Sequence, residues 1–65
     1  MLTRRETEVA VLIAEGLSNQ HIAKRLVIEQ GMVANHVAHI LRKLDVSNRT
    51  QIAAWYLATD PPRRR

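Results

Sequence analysis

The chain has 65 residues, 46% of them hydrophobic, with Trp55 and Tyr56 as its aromatics, no cysteine and a net charge of +4. A chain this short forms one domain and buries only about 60% of the surface that its unfolded form exposes, which excludes a multidomain enzyme and a deep catalytic cleft. Neither disulfides nor thiolate zinc sites are available, so aliphatic side chains must supply the core. Three of the four net positive charges sit on Arg63, Arg64 and Arg65, so the pI of 10.8 permits a polyanionic partner without requiring one. No apolar run approaches the roughly 20 residues of a membrane span, and no signal-peptide pattern is present. A cytoplasmic domain with no membrane partner is expected.

Helix signals appear in order along the chain. Thr3-Arg4-Arg5-Glu6 reads as a capping box, with Leu2 and Val9 flanking it and placed to touch. Val9, Leu12 and Ile13 recur at helical spacing until Gly16 supplies a stop, predicting a first helix over about 4–15. Ser18 opens a shorter second helix carrying Ile22, Ala23 and Leu26, which ends at an apolar turn, Val27-Ile28. A third helix follows over about 30–44. With about 100° per residue, Val37, Ile40, Leu41 and Leu44 fall within about 80° of Val33. Val37 and Leu41 are expected to be buried, while Gly31, Asn35, Ala38 and Arg42 occupy the opposite face with His39 beside them. Ser47 is placed to cap a fourth helix that runs to about Thr59, where Pro61-Pro62 follows.

In that fourth helix Ile52, Trp55, Tyr56 and Thr59 are expected to face the core. Thr50, Ala54 and Leu57, with Ala58 adjoining, form the outer stripe, small enough for a second copy to approach closely. Arg49 is expected to pair with a carboxylate of helix 1 such as Glu6. No segment alternates as an exposed-face strand does, and there is no Gly-rich phosphate loop, nucleophile elbow or internal repeat. The predicted fold is all-α, a four-helix bundle over residues 1–60, with 61–65 as a disordered basic tail.

Helices 2 and 3 with their tight turn have the form of a helix-turn-helix, in which the second helix enters the major groove and the first lies over the backbone. Such a helix needs a small, partly polar outer face. Asn35 can pair with adenine and Ala38 can contact a thymine methyl; the bland alternative is a solvated helix surface. His39, Arg42 and Lys43 either touch phosphate or are ordinary solvated charge. His36 and His39 stand three residues apart, but no cysteine or carboxylate in the sequence beside them completes a metal set. A partly buried, hydrogen-bonded His36 and no metal are expected.

The stretch LTRRETEVAVLIAEGLSNQHIAKRL, then Val33, His36-Val37 and Ile40-Leu41-Arg42-Lys43-Leu44, then SNRTQIAAW, resembles the LuxR-type DNA-binding domain across residues 2–58. That module is the four-helix output domain of many bacterial transcription regulators, two-component response regulators among them. The resemblance is most specific at L-T-x-R-E-x-E-V, at G-L-S-N and at K-L-x-V-x-x-R-T. It implies that Ser18 and Asn19 hold phosphate at a helix N-terminus, a position suited to anions. It also implies that helix 3 is the recognition helix and that helix 4 dimerises.

The family usually has Ser or Thr where this chain has Glu29, Thr in place of Met32, and Lys in place of Ala34. Glu29 forgoes a short-side-chain cap worth about 1 kcal/mol, and Ala34 lacks a cation. The expected DNA contacts are Ser18, Asn19, Gly31, Met32, Ala34, Asn35, Ala38, His39, Arg42 and Lys43. The expected dimer surface is Thr50, Ala54, Leu57 and Ala58. The reading is a C-terminal DNA-binding domain of a bacterial transcription regulator, acting as a homodimer on a two-fold-related site of double-stranded DNA. No catalysis, cofactor or small-molecule ligand is expected. The alternative is a degenerate helix-turn-helix that serves as a dimerisation or protein-interaction module with weak, non-specific DNA binding.

Overall fold

The computed structural model describes residues 1–59 as four helices and no strand: α1 (Arg4–Ala14), α2 (Asn19–Leu26), α3 (Gln30–Leu44) and α4 (Arg49–Thr59). The all-α expectation is met. The side chain of Thr59, placed in the core by the sequence reading, and the expected tail 61–65 lie outside the described residues.

Local side-chain caps fix the starts of α1, α2 and α4. Thr3 caps α1 as a full capping box: its Oγ1 accepts from the Glu6 amide at 3.1 Å, and Glu6 Oε1 accepts from the Thr3 amide at 2.9 Å. Ser18 caps α2 by accepting from the His21 amide at 3.2 Å. At α4 the sequence reading needs correction, because the cap is Asn48 and not Ser47. Asn48 Oδ1 accepts from the Gln51 amide at 3.0 Å, and Gln51 Oε1 accepts from the Asn48 amide at 3.2 Å. The amide of Gln51 closes this reciprocal pair as Glu6 does in α1, a signal that Asn-x-x-Gln carries as legibly as Thr-x-x-Glu.

The first three helices stop in one way. Gly16, Val27 and Asp45 each adopt a left-handed conformation, with φ of 93°, 58° and 58°. After each of them the next amide reaches back five residues: Leu17 to the Leu12 carbonyl, Ile28 to Ala23, and Val46 to Leu41. This is the Schellman arrangement, whose left-handed residue is usually glycine. Val27 is the costly one, since a β-branched side chain is crowded there and 87% of its surface is exposed. Val27→Gly should therefore raise stability by about 1 kcal/mol, relief of strain exceeding the entropy that glycine adds to the unfolded chain. Urea unfolding measures it; a destabilised variant would mean that Val27 packs better than its exposure indicates.

The core is a single aliphatic cluster: Val9, Ala10, Leu12 and Ile13 of α1, Ile22 and Ala23 of α2, Val33 and Ile40 of α3, and Ile52 of α4. Helix α3 touches all three others, and α4 leans chiefly on α1. Two expectations are adjusted here. Val37 and Leu41 are only partly buried, whereas Val33 and Ile40, seven residues or two turns apart, are fully enclosed. In α4, Trp55 and Tyr56 are half-buried and the enclosed residue is Ile52, with Ala53 packed beside it. A small bundle closes around compact branched chains and leaves its two aromatics at the margin.

Candidate nucleic-acid interface

Three residues of turn, 27–29, separate α2 from α3, and α3 packs on α2, with Val33 and Ile22 in the same core cluster. With its inner face spent on Val33 and Ile40, α3 turns Gly31, Met32, Ala34, Asn35, Ala38, His39, Arg42 and Lys43 to solvent. Seen along the helix, the exposed part of the first two turns carries small or apolar groups and two amides, Gln30 and Asn35. Cations appear only near its end. At Gly31 even a methyl group would meet nothing within 4 Å, so the surface there is open.

Glu29 is the N-cap of α3, yet its side chain makes no capping hydrogen bond. Its carboxylate is exposed and lines a shallow groove between α2 and α3 with Gln20, Lys24, Val27 and Gln30.

At the start of α2, Ser18 is exposed and spends its hydroxyl on the His21 amide, with His21 Nδ1 also 3.2 Å away. Asn19 is half-buried and held by Arg49: Nη1 donates to Asn19 Oδ1 at 2.7 Å, while Nη2 donates to the Leu17 carbonyl at 3.0 Å. A guanidinium only donates, so the Asn19 oxygen must face it and the amide nitrogen must face away. Against expectation, Arg49 pairs with no helix 1 carboxylate, Glu6 or other; it clasps the start of α2, a partner 30 residues away that nothing local in the sequence signals. Its planar fork suits two acceptors at once.

Glu6 is occupied elsewhere. Its side chain is buried, accepts from Lys43 Nζ at 2.9 Å and has His39 Nδ1 at 3.8 Å. Lys43 also reaches the Met1 carbonyl at 3.4 Å. The carboxylate absent from the sequence neighbourhood of His39 is thus supplied by α1, but among the described residues no group of three or more His, Cys, Asp or Glu side chains could hold a metal ion. His36 is half-buried, as expected, but the hydrogen bond expected of it is not found among the described residues. The hydrogen bond from Lys43, then that from the Thr3 amide, holds the Glu6 carboxyl below its ordinary value, against the opposing effect of burial. Of the expected contact residues, His39 and Lys43 therefore lean toward α1, while Arg42 is exposed without such a tether.

The family profile described as bacterial regulatory proteins, luxR family, matches residues 1–56. The chain belongs to this family. Luxr-family regulators among its relatives include the transcriptional regulatory protein LiaR of Bacillus subtilis, 50% identical over 54 residues, which are 83% of this chain and 26% of LiaR. The response regulator protein VraR of Staphylococcus aureus is 53% identical over 55 residues, 85% of this chain and 26% of VraR. The nitrate/nitrite response regulator protein NarL of Escherichia coli is 44% identical over 54 residues, 83% of this chain and 25% of NarL. The chain thus spans about a quarter of the length of these curated relatives. The luxR-type domain is a DNA-binding module of transcription regulators and not an enzyme. Glu29, the N-cap of α3, and Met32 and Ala34 in its first turns are all exposed. No helix among the described residues is long and apolar enough to cross a membrane.

Proposed function

We propose that this domain binds double-stranded DNA as a homodimer on a two-fold-related site in the cytoplasm, with α3 in the major groove. The observation that carries this reading is the outer face of α3, where Gly31, Asn35 and Ala38 stand exposed on a helix whose other side is locked into the core. A face without bulk can approach base edges, and Asn35 supplies the pairing group. Ser18 and Asn19 at the start of α2 take phosphate, with the Asn19 amide nitrogen turned outward by Arg49. Gly31, Met32, Ala34 and Ala38 face the groove, and His39, Arg42 and Lys43 meet phosphate at its edge. Affinity rests mainly on phosphate contacts and falls with salt.

Fluorescence anisotropy with a selected duplex and a scrambled one, at two salt concentrations, tests this. Asn35→Ala should weaken binding to the selected site by about 1–3 kcal/mol and leave the scrambled duplex almost unchanged. Arg42→Ala should weaken both and lower the salt slope by about one per subunit. Equal affinity of the unaltered protein for both duplexes would leave the second reading, an interaction module with weak DNA binding, which the uncapped Glu29 favours.

The dimer part of the proposal rests on α4. Thr50, Ala54, Leu57 and Ala58 are all exposed, Leu57 at 58%. Leu57→Asp should keep the helix content and give a monomer in sedimentation. A chain that is monomeric at high protein concentration before any substitution would exclude association through this stripe.

A further inference from the structure

We infer that α3 selects A·T base pairs, reading thymine methyls through Met32, Ala34 and Ala38 and an adenine through Asn35, and has no direct means of reading guanine. The inference rests on the proposed placement of α3 in the major groove and adds the class of site it takes there.

The argument is one of donors. Guanine presents two acceptors, N7 and O6, in the major groove, and a side chain reads them with the paired or multiple donors of Arg or Lys. From Gln30 to Leu41 the helix holds no Arg, Lys, Ser or Thr. The cations that follow are placed against base reading. Lys43 is turned back to Glu6 at 2.9 Å and His39 to the same carboxylate at 3.8 Å, both toward α1. Arg42 is exposed but lies twelve residues beyond the helix start, roughly 18 Å along its axis, whereas base contacts come from the N-terminal part of a recognition helix. Glu29, uncapped and exposed, is an acceptor and adds no guanine reading; it suits a cytosine amino group.

What the face does offer is apolar. Met32, Ala34 and Ala38 are exposed around Asn35, and Met32 shows 49% of its surface. The thymine C5-methyl is the one apolar group on a base edge in the major groove, and adenine N6 and N7 match the donor and acceptor of an asparagine amide. Apart from Glu29 at the helix start, the groups on this surface therefore point to A·T pairs.

The test selects duplexes from a random pool with the chain, then replaces each thymine of the selected site by deoxyuridine, which keeps base pairing and removes only the methyl group. We expect A·T pairs at the contacted positions and, at two or more of them, about threefold weaker binding per methyl removed. In Ala38→Gly the penalty should vanish at one such position. Selection with Ala34→Lys should bring guanine into the site. A selected site with required guanines and no response to deoxyuridine would overturn the inference while leaving DNA reading by α3 intact. No enrichment from the pool would overturn the proposed function and this inference with it.

Discussion

Ile40→Ala is expected to lower the unfolding free energy by about 3–4 kcal/mol, and Leu41→Ala by only about 1–2 kcal/mol. Ile40 is fully enclosed in the cluster that joins all four helices, so truncation leaves a cavity that the neighbours cannot collapse into. Leu41, one residue on, is only partly buried, and solvent can relax into the space it leaves. A domain of this length holds roughly 3–10 kcal/mol in total, so Ile40→Ala removes a large share of it and should leave part of the population unfolded at physiological temperature. Urea unfolding followed by far-UV circular dichroism measures both variants. If Leu41→Ala cost more than Ile40→Ala, α3 would be rotated relative to its neighbours.

Glu6→Ala is expected to cost about 2–3 kcal/mol at neutral pH, although the residue is charged and lies in the first turn of a helix. Two losses combine: the acceptor half of the α1 capping box and the charge-assisted hydrogen bond from Lys43. The pH dependence separates them. The folded state holds the Glu6 carboxyl below its ordinary value of 4.5, so the folded chain binds that proton more weakly than the unfolded chain does. The stabilisation is complete above that ordinary value and disappears as pH falls through the lower folded value. Glu6→Gln should therefore flatten the acid limb of the stability profile. Lys43→Met should flatten it as well, because the largest cause of the shift is the Lys43 hydrogen bond. An unchanged acid limb in Lys43→Met would assign the shift to the helix cap instead.

What could be read from the chain itself follows the range of each interaction. The Thr3–Glu6 and Ser18 caps act over three residues, so their partners stand beside them in the sequence. Gly16 declares its left-handed stop because glycine adopts it without strain. Val27 hides its stop because a β-branched residue opposes that conformation, and Asp45 signals its own only weakly because aspartate tolerates it without requiring it. Helical periodicity located the inward face of α3 but spread its centre over Val37 and Leu41. It measures direction only, and depth depends on which neighbour stands opposite. The exposed face Gly31–Asn35–Ala38 was legible for the same reason. The ties of Glu6 to Lys43 and of Arg49 to Asn19 span 37 and 30 residues. Charge alone offered Arg49 several acceptors, and only the assembled bundle decides among them.

The Arg49 clasp has a consequence for the geometry of the target. It sits at the first residue of α4 and grips the first residue of α2, so the helix that carries the proposed contact between copies is fastened to the segment that meets the DNA backbone. In the proposed dimer the two DNA-facing surfaces are then held at one separation and one relative angle. Adding a single base pair between the half-sites turns one of them by about a tenth of a helical turn. A subunit fastened in this way has no joint with which to follow that turn, so the dimer should tolerate one spacing of its half-sites and reject its neighbours.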